Sequence, residues 1–96
     1  MVQPPKYRDR RTEQFASGAL VREFQAFAQQ ASRRLDILDA ARDKHDLQRI
    51  NSNHFEALGG TRKGQYSIRI NAQWRLCFEW PDDAPRPFNL EIVDYH

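Results

Sequence analysis

Apolar residues plan this 96-residue chain through two different periods. Between residues 21 and 42, Phe24, Phe27 with Ala28, Ala31, Leu35 and Leu38 recur at steps of three and four, which gathers side chains into one stripe on a helix. That spacing predicts a helix over 21–42, about 30 Å long at 1.5 Å per residue, with Arg33, Arg34, Asp36 and Asp39 on its polar side. A shorter helix is predicted over 10–17, capped by the Asp9 carboxylate and ended by Gly18 in the left-handed conformation. Further on the period drops to two. Tyr66, Ile68 and Ile70 alternate with Ser67 and Arg69; Trp74, Leu76, Phe78 and Trp80 alternate with Arg75, Cys77 and Glu79. Phe88, Leu90 and Ile92 follow after a Pro/Asp loop. These runs predict an antiparallel meander of three strands with one face on the helices. A fourth strand near residues 2–8 would be confined to an edge by Pro4 and Pro5. Residues 44–64 hold no period, and Asn51-Ser52-Asn53, Gly59-Gly60 and Gly64 are turn chemistry. This stretch reads as a loop anchored to the core by Phe55 and Leu58, through a short strand. Helices followed by strands predict an α+β fold, two N-terminal helices on one face of a small antiparallel sheet of three to four strands. The length suits one domain over 1–96.

The alternation also sets the register. Pairing Ile70 with Trp74 across Asn71-Ala72-Gln73 aligns Ile68 with Leu76 and Tyr66 with Phe78. A slip of one residue would set polar against apolar at every rung. The same register places Arg69 directly opposite Arg75, away from the helices, although like charges at opposed positions destabilise a sheet. A bound anion relieves that conflict, and two guanidinium forks suit a phosphodiester. Matching Leu76 with Ile92 and Phe78 with Leu90 then sets Arg75 opposite Val93, with Tyr95 one step further on the same face. Asp94 and His96 have core parity, so the strand end or a bulge must turn them outward if they act with the arginines.

Charge sharpens this picture. The formal net charge is only +2, but residues 6–11 hold four cations against one acid. Residues 61–76 carry Arg62, Lys63, Arg69 and Arg75 with no acid at all. Segregation of this kind points to a polyanionic partner. A single cysteine, Cys77, excludes an internal disulfide and fits a reducing compartment; at mid-sheet it reads as a packing residue. His45 and His54 have no ligand spacing with Cys77 or each other, so no metal site is expected, and no motif suggests a nucleotide cofactor or lipid. The chain shows neither an apolar run of spanning length nor a signal-type start, which predicts a cytoplasmic protein with no membrane partner.

Asp94-Tyr95-His96 supply an acid, a phenol and an imidazole beside the arginines. Cations with an acid/base pair describe RNA cleavage by internal attack. A base removes the ribose 2′-OH proton, arginines stabilise the phosphorane, and an acid protonates the leaving 5′-oxygen.

The run Gly64-Gln65-Tyr66-Ser67-Ile68-Arg69-Ile70-Asn71-Ala72-Gln73-Trp74-Arg75-Leu76-Cys77-Phe78-Glu79-Trp80 and the stretch Glu91-Ile92-Val93-Asp94-Tyr95-His96 resemble the HigB-type toxins of the RelE/ParE toxin–antitoxin superfamily. Arg8-Asp9-Arg10-Arg11-Thr12-Glu13, Leu38-Asp39-Ala40-Ala41 and Phe55-Glu56-Ala57-Leu58 extend the resemblance over most of the chain. It implies one RelE-like toxin domain that acts as a ribosome-dependent mRNA endonuclease in the A site, without metal or cofactor, leaving a 2′,3′-cyclic phosphate. The partners it implies are the ribosome, mRNA and a helix-turn-helix HigA-type antitoxin, with operator DNA bound only through the antitoxin complex. Carried over by position, Arg75 is the phosphate clamp and Asp94, Tyr95 and His96 complete the catalytic set, with His96 the favoured acid/base. Arg62, Lys63 and Arg69 are expected RNA contacts. The chain departs from the pattern in two places: Gly59 stands where some members carry lysine, and His54-Phe55 where arginine-leucine is common. The competing reading is a ParE-like toxin that inhibits gyrase by binding; a third is a module that only binds antitoxin or nucleic acid.

Overall fold

A computed structural model describes residues 3–94. Helix α1 spans Arg10–Ala16. The Asp9 carboxylate accepts from the Thr12 backbone N–H at 3.2 Å, the satisfied N-cap that the sequence predicts. Gly18, at φ +98°, turns the chain out of the helix.

The single helix expected over 21–42 is in fact two elements. Residues Arg22–Phe27 wind as a 3₁₀ helix, and α2 proper spans Ala28–Ala40. The break falls at Phe27, whose φ of −131° lies outside the helical region. Packing explains it. A 3₁₀ turn eclipses positions i and i+3, which brings Phe24 and Phe27 to 5.7 Å and sets both against Trp74, at 5.7 and 4.8 Å between ring centroids. Ala41 is already extended at ψ 137°, so the helix stops before Arg42.

The stretch 44–64 is more ordered than a loop. It holds α3 (Lys44–Gln48), capped by Asp43, a 3₁₀ turn at Asn51–Asn53, strand β1 (Glu56–Ala57) and a second 3₁₀ turn at Gly60–Arg62. Buried Asn53 holds the segment down: its carboxamide accepts from the Arg34 guanidinium of α2 and donates to the Leu47 carbonyl at 3.0 Å. Phe55 packs against the core as the sequence predicts, whereas Leu58 is buried in a separate small cluster with Cys77 and Val93 instead of anchoring to that core.

Strands β2 (Gln65–Arg69), β3 (Trp74–Glu79) and β4 (Phe88–Asp94) complete an antiparallel sheet of order β1-β2-β3-β4. Rungs Tyr66–Phe78, Ile68–Leu76 and Arg69–Arg75 join β2 to β3, and Leu76–Ile92 and Arg75–Val93 join β3 to β4. The expected Phe78–Leu90 rung falls within a register shift, after which Glu79 pairs with Phe88. Asn89 lies within that shift in the left-handed region at φ +54°, where β4 carries one extra residue as a bulge. The fourth strand is β1 rather than the N-terminal segment. That segment lies along the outer edge of β4 through one parallel bridge, Tyr7–Leu90, with hydrogen bonds from Leu90 N–H to the Lys6 carbonyl and from Arg8 N–H to the Leu90 carbonyl, both 2.8 Å. Pro4 and Pro5 have no N–H to extend the ladder, and Val2 lies outside the described residues. The core between helices and sheet is built from Phe24, Leu38, Leu47, Ile68, Leu76, Phe78, Leu90 and Ile92. Among the described residues, no helix is long and apolar enough to cross a membrane.

Candidate functional site

The face of the sheet away from the helices carries Ser67, Arg69, Arg75, Cys77 and Val93 by strand alternation. Two kinds of surface result. Cys77 and Val93 join Leu58 in a small apolar cluster. Burial pushes the Cys77 thiol up to about 11, so it stays protonated and packs as a small apolar group.

Beside this cluster, Arg69 and Arg75 face each other as a cross-strand pair. Neither side chain hangs loose. Arg75 Nε donates to the buried Ser67 hydroxyl at 2.7 Å, and its Nη2 donates to the His54 carbonyl. Arg69 Nε donates to the Asn71 carbonyl at 3.1 Å. These bonds aim both guanidiniums along the sheet surface, where an open cleft of about 480 Å³ is lined by His54, Phe55, Glu56, Arg69, Asn71, Ala72 and Arg75. The 3₁₀ turn before β1 supplies one wall. His54 adopts the left-handed conformation at φ +44°, which a non-glycine residue holds only when its surroundings impose it. Here the neighbouring Asn53 is locked from two sides, and the His54 carbonyl is delivered to Arg75.

Glu56 and His54 are lining residues that residue-level reasoning missed. For Glu56 the sequence signal misleads: Leu58 shares its strand parity, so a Leu58 expected on the main core would turn Glu56 toward the helices, whereas the Glu56–Ser67 rung sets both on the outer face, Leu58 in the cluster with Cys77 and Val93. The position of His54 follows from its backbone angles, which no periodicity encodes.

The other expected site residues lie elsewhere. Arg62 Nη1 donates to Gln65 Oε1 at 2.9 Å and to Glu91 Oε1 at 3.3 Å, and does not line the cleft. Arg8 shares the Glu91 carboxylate at 3.5 Å. Lys63 is exposed and also outside the cleft lining. Asp94, opposite Trp74, is exposed at the strand end and accepts from Gln73 Nε2 at 3.0 Å. Tyr95 and His96 lie outside the described residues.

Fold and cleft together define a small α+β domain that presents paired arginines on the outer face of an antiparallel meander. The chain belongs to the HigB-like toxin family, described as the RelE-like toxin of the type II toxin–antitoxin system HigB, whose match covers residues 6–96. One stretch of 50 residues is 52% identical to Toxin HigB-1 of Vibrio cholerae serotype O1, covering 52% of this chain and 53% of that protein. Another of 65 residues is 31% identical to an uncharacterized protein of Haemophilus influenzae, covering 68% of this chain and 64% of that protein. The matches thus span between about half and two thirds of those relatives' lengths.

Proposed function

We propose that this chain is a toxin that cleaves mRNA on the ribosome by internal attack of the ribose 2′-hydroxyl, using protein groups alone. The observation that carries the reading is the opposed Arg69–Arg75 pair opening into a polar cleft. Such a rung opposes folding, while two forks of fixed geometry are matched to the equatorial oxygens of a phosphorane. In this mechanism a base removes the 2′-OH proton and the 2′-oxygen attacks phosphorus in line. The bond to the 5′-oxygen breaks, and an acid returns a proton to that oxygen, leaving a 2′,3′-cyclic phosphate and a 5′-hydroxyl. Arg75 clamps the phosphate and Arg69 assists. Asp94, Tyr95 and His96 act at the end of β4, with proton transfer assigned to Tyr95 and His96. The placement of the Val93–Arg75 rung supports this, since β4 ends one residue beyond it. Arg62 and Lys63 contact RNA outside the cleft. The ribosome supplies the mRNA in the cytoplasm, and a helix-turn-helix antitoxin neutralises the toxin and carries it to operator DNA.

Primer extension on mRNA from a translating extract tests this directly. Arg75→Ala and His96→Ala are each expected to lower cleavage by about 100-fold or more, while antitoxin binding survives. Unchanged cleavage would remove the site assignment. Gyrase inhibition without RNA cuts would establish the ParE-like alternative instead.

A further inference from the structure

We propose that Phe55 is a base-stacking platform, which holds an unpaired nucleobase of the RNA next to the phosphodiester bound at Arg69 and Arg75. The inference rests on the nuclease reading above and adds to it a second point of contact with substrate.

Phe55 lines two clefts. One is the arginine cleft on the outer face; the other, about 320 Å³, opens on the helix side of the sheet edge, between α3 and β1. The edge is thin there because β1 has only two residues. Glu56 faces the first cleft and Ala57 the second, and the small Ala57 side chain leaves the second open. Phe55 stands at the junction, immediately after the left-handed turn at His54.

Among the apolar residues of this segment, Leu47 and Leu58 are buried, whereas Phe55 is half-buried and keeps part of its ring open to solvent. Its ring is nevertheless held firmly. It stacks on Tyr66 at 5.6 Å and 18°. The Lys44 ammonium lies 4.6 Å from the Tyr66 centroid, bonds the Tyr66 hydroxyl at 3.3 Å, and is itself fixed by Asp82 at 2.7 Å. A rigid aromatic ring beside a cationic groove is the arrangement by which proteins hold single-stranded nucleic acid, with phosphates on the cations and splayed bases on the rings. The second cleft also brings Gln48, His45 and Asp43 to its rim, a mixed set of donors and acceptors suited to the edge of a base and unsuited to a second phosphate, since Asp43 and Asp82 are both present.

The test is single-turnover cleavage of a synthetic mRNA on purified programmed ribosomes, at increasing toxin concentration. Phe55→Leu keeps an apolar anchor and removes the flat ring; it is expected to raise the half-saturating toxin concentration by about tenfold or more. Phe55→Trp should match or improve on the wild-type protein. A wild-type arm needs no variant: an abasic nucleotide placed in turn at each position flanking the cut should weaken saturation at one of them, and there the difference between wild type and Phe55→Leu should vanish. If no abasic position matters, or Phe55→Leu saturates like wild type, the stacking platform is refuted. If Arg75→Ala still abolishes cleavage in those same samples, the nuclease reading survives that failure. Absence of cleavage by the wild-type protein would overturn both.

Discussion

Arg69 and Arg75 occupy one rung of the β2–β3 ladder, yet each guanidinium is held by oxygen acceptors on its own side of the cleft, Asn71 for one and Ser67 with His54 for the other. Replacing Arg69 by threonine removes a like-charge neighbour and adds a β-branched residue suited to a strand. Arg69→Thr is therefore expected to stabilise the free protein by about 0.5 kcal/mol while reducing mRNA cleavage. Urea denaturation and the primer-extension assay, run on one preparation, check the two arms, and a variant that loses both stability and activity would contradict this account of the rung. The pair itself was legible in the sequence, because hydrophobic alternation fixes strand parity and parity fixes which side chains oppose. The rest of the cleft wall was not. His54 reaches it through a left-handed backbone angle, set by the Arg34–Asn53–Leu47 network, and no local pattern announces contacts made across 19 residues.

Elements hold the working edge of the sheet in place. Strand β4 is an edge strand whose outward N–H groups need partners, and the chain provides them in series. Asn89 donates to Pro5 and Leu90 to Lys6, and further along Ile92 N–H donates to the Thr12 hydroxyl of α1 at 3.0 Å. Thr12 is fully buried, so α1 is tied by this bond to the part of β4 that faces Arg75. Thr12→Val conserves shape and deletes the acceptor, leaving a buried donor unpaired. The expected cost is about 1–3 kcal/mol, read as a lowered melting temperature, and Thr12→Ser should recover most of it. A valine variant as stable as wild type would show that the hydroxyl is dispensable. Sequence periodicity located α1, its Asp9 cap and all three long strands, since each depends on neighbours a few residues away. It misjudged the segment 21–42 because Phe24 and Phe27 suit an α and a 3₁₀ turn equally by spacing, and contact with Trp74 decides between them. The Asn89 bulge escaped notice for a similar reason: it is a response to the N-terminal segment and β3 together, with the Asn89 amide nitrogen donating to Glu79 at 2.7 Å.

At the scale of the whole molecule, the sheet carries a buried apolar cluster on each face, the main core beneath and the smaller group of Leu58, Cys77 and Val93 above. The outer cluster borders the arginine rung on the same face, so β3 presents charge at Arg75 and a dry apolar patch at Cys77, two residues on. Cys77 reports on this arrangement. Its thiol is raised from 9.0 to about 11 chiefly by burial, with opposing contributions from nearby charges. At pH 8 that leaves about one thiolate in a thousand, against about one in ten for the unfolded chain. A disulfide reagent should therefore label the native protein more than about 100-fold slower than the urea-unfolded one, and labelling at the unfolded rate would mean that the cluster is open. The same shift has a consequence for stability. Because the folded state keeps its proton more tightly than the unfolded state, the contribution is intact below pH 9.0 and is lost as pH rises through about 11. Lysines and tyrosines titrate in that window too, so the informative quantity is a difference between proteins. Cys77→Ala removes the ionisable group, and its urea midpoint should decline less between pH 8 and pH 10.5 than that of the wild-type chain, although it starts lower because a buried sulfur has been deleted. Parallel declines would place Cys77 in contact with solvent and remove the dry outer layer from this picture of the fold.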